Sequence, residues 1–111
     1  SLPAEQLLDS LSVRLNGERA GASEIAVNIR FTDTGERFLV TVENAVFHHY
    51  PGREAKDAPT VSLTRGALAS LVIGEIALPD ENVAVDGDAA PFAALLSFLD
   101  RFDFWFEIVM P

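Results

Sequence analysis

The sequence predicts an α+β domain, and three observations carry that prediction. Apolar residues recur at helical spacing near both ends, as Leu8, Leu11 and Leu15 and as Phe92, Leu95, Leu96 and Leu99. Between them the period drops to two, over Ile25, Val27, Ile29 and Phe31 and again over Phe38, Val40 and Val42. The segments are separated by short stretches rich in Gly, Asn, Asp and Pro, so a run of strands stands beside helices.

Each element has its own warrant. In "PAEQLLDSLSVRLNGERAG" the leucines share one helical face, with Leu7 at its edge and Glu5, Asp9 and Arg14 elsewhere. Pro3 suits the first turn, and Asn16-Gly17 is expected to end the helix in a left-handed conformation. From Glu24 the alternation sets Asn28, Arg30 and Thr32 opposite the apolar residues, which describes a half-buried strand. "DTGE" at 33–36 is turn chemistry, so this strand and the next form a hairpin. "AVFHHY" reads as a third strand, "PGREAKDAP" as a polar loop and "TVSLT" as a fourth strand. Four successive strands imply an antiparallel meander. Thr64 is placed to cap a helix through "RGALASLVIGE", with Leu68, Leu71 and Val72 on one face and Gly74 at its end. "NVAVDGD" supplies a fifth short strand and a turn, and Asp88 is expected to cap the last helix. In "RFDFWFEIVMP" the phenylalanines hold even positions. An extended tail would pack them on one side and turn Trp105 outward beside Asp103 and Glu107, a setting suited to a partner-facing interface.

Composition narrows the function classes. The 111 residues suit a single domain over 1–111, and 49% apolar with 23% charged residues is the balance of a folded protein. Eight Lys and Arg stand against seventeen Asp and Glu, a net charge of −9, which makes nucleic acid and anionic membrane surfaces poor partners. With no cysteine, disulfides, thiolate metal sites and a cysteine nucleophile are excluded. The sequence has no apolar run near the roughly 18 residues of a membrane span, so membrane insertion is not expected. The chain opens on Ser1 instead of Met, and is expected to be a domain excised from a larger protein.

The residues that carry chemistry are few. His48 and His49 are adjacent on a strand and therefore face opposite sides, so they do not chelate one metal together. One should face solvent and the other meet a carboxylate. Asp86 and Asp88 flank Gly87, and a turn with a helix cap accounts for both better than acid/base work or calcium binding. Ser12, Ser62, Ser70 and Ser97 lie outside any G-x-S-x-G context, and the glycines do not form a phosphate loop. No catalytic residue is assigned, and an independent hydrolase is not expected.

In order along the chain, "LSVRLNGERAG", "FTDTGERFLVTVENAVFHHYPG", "APTVSLTRGALASLVIGE" and "VAVDGDAAPFAALLSFLDRFDFWFEIVMP" resemble the C-terminal domain of bacterial alkyl sulfatases, which is similar to sterol carrier protein type 2. The resemblance implies a five-stranded, mainly antiparallel sheet covered by helices, with an apolar channel between the layers. It also implies a parent zinc alkyl sulfatase, a sulfuric ester hydrolase with two zinc ions in a catalytic domain of the metallo-β-lactamase type. That domain's HxHxDH motif is absent here, so no cofactor is expected in this domain. What carries over is an accessory role: binding the long aliphatic chain of a sulfate ester in a hydrophobic pocket beside the catalytic domain of the same polypeptide. The acidic charge would repel the sulfate head, so this domain is expected to handle the tail.

The resemblance implies groove candidates in Phe47, Leu68, Leu71 and Val72. Phe92, Leu95, Leu96 and Leu99 join them from the last stripe. For each of these, core packing and ligand lining both remain open. The alternative function is a structural module whose apolar tail docks on a neighbouring domain or a second subunit, making a homo-oligomer. A bacterial periplasmic or secreted location is expected with the parent enzyme.

Overall fold

The computed structural model describes residues 2–100. The readings of an extended tail and an outward Trp105 lie outside those residues. A five-stranded sheet is built from β1 (Ile25–Phe31), β2 (Arg37–Glu43), β3 (Val46–Pro51), β4 (Thr60–Leu63) and β5 (Ala84–Asp86), in the order β3-β2-β1-β4-β5. The first three strands form the antiparallel meander that their alternation predicts. Asn44 and Ala45 join β2 to β3 with φ of 52° and 60°, the positive pair that a two-residue hairpin turn requires.

The fourth strand departs from the meander. β4 pairs with β1 in parallel, from Asn28↔Thr60 to Phe31↔Leu63, and β5 returns antiparallel to β4, so the sheet is mixed. The reason lies in the loop before it. Residues 52–59 exceed a tight hairpin and carry the chain over the outer face of β2 and β1. Asn28, on that face and buried, holds them there. Its Nδ2 donates to the carbonyls of Ala55 at 2.8 Å and Ala58 at 3.3 Å, and its Oδ1 accepts from the Ala55 N–H at 2.7 Å. Arg30 grips Glu54 through two hydrogen bonds, of 2.8 and 3.3 Å, and Arg37 approaches the same carboxylate.

The helices are α1 (Ala4–Ser12), α2 (Gly17–Ala20), α3 (Arg65–Ile73) and α4 (Ala90–Ser97). α1 ends earlier than its leucine spacing predicts. Asn16 does not close it but opens α2, its side chain accepting from the Arg19 N–H at 3.0 Å. Asparagine caps a helix start better than it sits inside one. Leu15 thereby leaves the helix and bridges to Leu99, which lies just beyond α4. Thr64 caps α3 as its position predicts, accepting from the Ala67 N–H at 3.0 Å, and Gly74 ends it at φ 83°. Asp88 accepts from the Ala90 N–H at 2.9 Å, while Ala89 occupies the cap position itself.

The helices cover one face of the sheet. Leu7, Leu8 and Leu11 of α1 meet Leu68, Leu71 and Val72 of α3 and Phe92, Leu95 and Leu96 of α4 over the inward residues of the strands. These form one continuous core, with Phe31 and Phe38 edge to face at 5.9 Å. Among the described residues no helix is long and apolar enough to cross a membrane.

Candidate functional site

An apolar cleft of about 440 Å³ lies at the β5 edge of the sheet. Val83 and Val85 form one wall, Ala89 at the cap of α4 with Ala90 and Ala93 in it a second, and Leu78-Pro79 from the preceding loop the third. The cleft exists because α4 carries alanines on this side. Its large residues, Phe92, Leu95 and Leu96, turn into the core, whereas Ala89, Ala90 and Ala93 are exposed and stop at Cβ. A smaller cleft of about 170 Å³ adjoins it, lined by Leu71, Ile76, Ala77, Leu96 and Ser97, with Leu78 and Ala93 standing in both walls. The larger volume falls within the roughly 300–1,000 Å³ of small-molecule sites.

A larger, polar cleft of about 600 Å³ lies on the outer face, between the 54–60 loop and the 86–88 turn. Asp57, Asp86 and Asp88 at its rim are exposed, and Asn28 at its floor is satisfied by the loop backbone. Its acids would repel an anionic headgroup, and it offers an alkyl chain little to displace water against. The hydrogen bond from Arg30, and then its charge with that of Arg37, hold the Glu54 carboxyl below its ordinary range. On the β1–β2 turn, Asp33 is held low in the same way by hydrogen bonds from Arg65.

The paired histidines point to opposite faces. His49 turns inward, its Nε2 2.7 Å from Asp9 Oδ1 of α1 and its ring against Phe38 and Phe47. His48 stacks on Tyr50 on the outer face. Among the described residues no group of three or more His, Asp or Glu is arranged to hold a metal ion.

The structure places the sequence-derived groove candidates in two groups. Leu71 and Leu96, core residues as well, line the smaller cleft. Phe47, Leu68, Val72, Phe92, Leu95 and Leu99 are buried in the core. The residues around the larger cleft escape a search by stripe, because alanines and a loop leucine leave no periodic signal. The cue in the sequence is the apolar "IALP" inside an otherwise polar connection, facing "DAAPFAA".

The sequence model of the family described as Alkyl sulfatase C-terminal matches residues 1–111. The linear primary-alkylsulfatase of Pseudomonas sp. is 33% identical over 116 residues, covering 100% of this chain and 17% of the relative. Among solved structures, the stereoselective inverting sec-alkylsulfatase Pisa1 from Pseudomonas sp. superposes with a TM-score of 0.84 at 26% identity, over 89% of this chain and 16% of that one. The UbiJ-SCP2 ubiquinone synthesis protein superposes with a TM-score of 0.66 at 14% identity, over 94% of this chain and 98% of that one. The last likeness establishes the fold, an α+β arrangement of the sterol carrier protein type 2 kind. The chain thus spans about a sixth of the length of the sulfatases it matches.

Proposed function

Because the chain belongs to the alkyl sulfatase C-terminal family, we propose that it is the accessory domain that holds the aliphatic tail of a sulfate ester beside a catalytic domain. The carrying observation is the cleft between Leu78-Pro79, Val83 and Val85, and the alanines at 89, 90 and 93. Each methylene buried there contributes about 0.8 kcal/mol, so a long alkyl chain supplies a substantial driving force before immobilisation is charged against it. The net charge of −9 works against a sulfate group near this surface. The ester head is left outside, where hydrolysis and its two zinc ions belong to the catalytic domain of the parent enzyme.

The test is a calorimetric titration of the domain with a neutral long-chain alcohol below its aggregation limit. Saturable heat is expected, unaffected by inorganic sulfate. Heat that does not saturate, or sulfate bound as tightly as the alcohol, would remove the proposal. One observation favours a second reading, a docking module: the alanine face of α4 is open to solvent along its length. That reading predicts association with the catalytic domain or a second copy that Ala93→Glu abolishes; association unchanged by that substitution would refute it.

A further inference from the structure

We propose that Leu78, facing Ala93, is a gate that sets how long an aliphatic chain the cleft accepts; this rests on the tail-binding reading above. The larger and smaller clefts have only these two residues in common. Leu78 is half-buried and comes from the loop, whereas Ala93 is exposed and comes from α4, so the two clefts meet at one leucine side chain and one methyl group. Beyond it the smaller cleft is of mixed character, with Leu71, Ile76 and Leu96 as its apolar walls. Its one hydroxyl, on Ser97, is already committed to the Ala94 carbonyl at 2.6 Å. A hydrocarbon crossing the divide would meet the side chains of Leu71, Ile76 and Leu96 without displacing a partner of that hydroxyl. What stops it is the volume of the Leu78 side chain.

The consequence is a break in the dependence of affinity on chain length. Each added methylene should tighten binding about fourfold while it finds cleft to fill. Once the chain end reaches Leu78, further methylenes remain in water and the gain ceases. Leu78→Ala removes the divide and joins about 440 Å³ to about 170 Å³. Ala93→Leu adds bulk from the opposite side, at an exposed helical position where leucine is well tolerated.

The experiment is calorimetry on a series of straight-chain primary alcohols of increasing length, each below its aggregation limit. It uses the parent domain, L78A and A93L, with urea denaturation confirming that each is folded. The parent should show the fourfold steps and then a plateau. L78A should move the plateau to longer alcohols, and A93L to shorter ones. Because A93L does not depend on a half-buried position, it tests the gate even if L78A fails to fold. An unmoved plateau in a folded variant would overturn the gate while leaving tail binding intact. No saturable binding of any alcohol to the parent domain would overturn tail binding, and the gate with it.

Discussion

Replacing Asn28 by alanine should cost about 2 kcal/mol of stability. The side chain is 3% exposed and makes two short hydrogen bonds to Ala55, of 2.7 and 2.8 Å, and a longer one to the Ala58 carbonyl. A protein hydrogen bond contributes about 1 kcal/mol net, and more where its loss strands a buried partner. Ala55 is only half-buried, so its freed N–H and carbonyl regain some water, which holds the sum near two bonds. In a domain of this size that is a fall of roughly 10 °C in Tm. Urea denaturation followed by circular dichroism should show a lower midpoint with an unchanged slope. Asn28→Asp sharpens the test. It keeps the shape and the acceptor for the Ala55 N–H, but it loses the donors and sets a carboxylate against two carbonyl oxygens. It should be destabilised at least as much as N28A at pH 7. If N28A costs under about 0.5 kcal/mol, or N28D matches the parent, then the loop is not held by this side chain and the account of the parallel β4 is wrong.

Phe92→Ala, at a fully buried ring, should cost about 3–5 kcal/mol, a large share of a typical domain's stability. A loss below about 1.5 kcal/mol in urea would show that the ring is not a core element. Acid should weaken the fold through Asp33 and Glu54, whose carboxyls the structure holds below their ordinary values of 3.8 and 4.5. The native state binds these protons less readily than the unfolded chain, so the two ion pairs contribute fully above those ordinary values. Their contribution is lost as pH falls through the lowered native ones. The urea midpoint should therefore drop below about pH 4.5, and the D33N/E54Q double variant should flatten that drop; an equal slope in both proteins would refute the assignment.

The strands themselves, as segments of the chain, were legible because alternation is a local signal. Ile25, Val27, Ile29 and Phe31, with Phe38, Val40 and Val42, share the inward face as their period requires, and "DTGE" and Asn44 mark their turns. Caps were legible for the same reason at Thr64 and Gly74. Partnership between strands was not. The parallel pairing of β4 with β1 depends on Asn28 meeting the backbone of residues 27 and 30 positions later, and period two marks Asn28 simply as a polar residue on a solvent face. At Asn16-Gly17 two local signals competed, and the helix start prevailed over the helix stop. Of the apolar clefts, the sequence exposed only Leu71 and Leu96, because a stripe search finds the residues that fill space and passes over those too small to fill it.

That asymmetry bears on the question the stripes left open, whether α4 serves the interior or a ligand. The two demands fall on different sides of the same eight-residue helix. Phe92 and Leu95 are buried in the core where α4 packs against β1, and they fix where the helix axis lies. With the axis fixed, the side-chain length at positions 89, 90 and 93 decides whether α4 touches Val83 and Val85 or stands off from them. Stability alone would favour longer apolar residues there, since each added methylene that met the valines would be removed from water. Alanine at all three positions holds the cleft open, and it does so without weakening the helix, for which alanine is the best former. The core determines the position of the cleft and the alanines determine its width, so a substitution on one side should move stability and on the other should move binding.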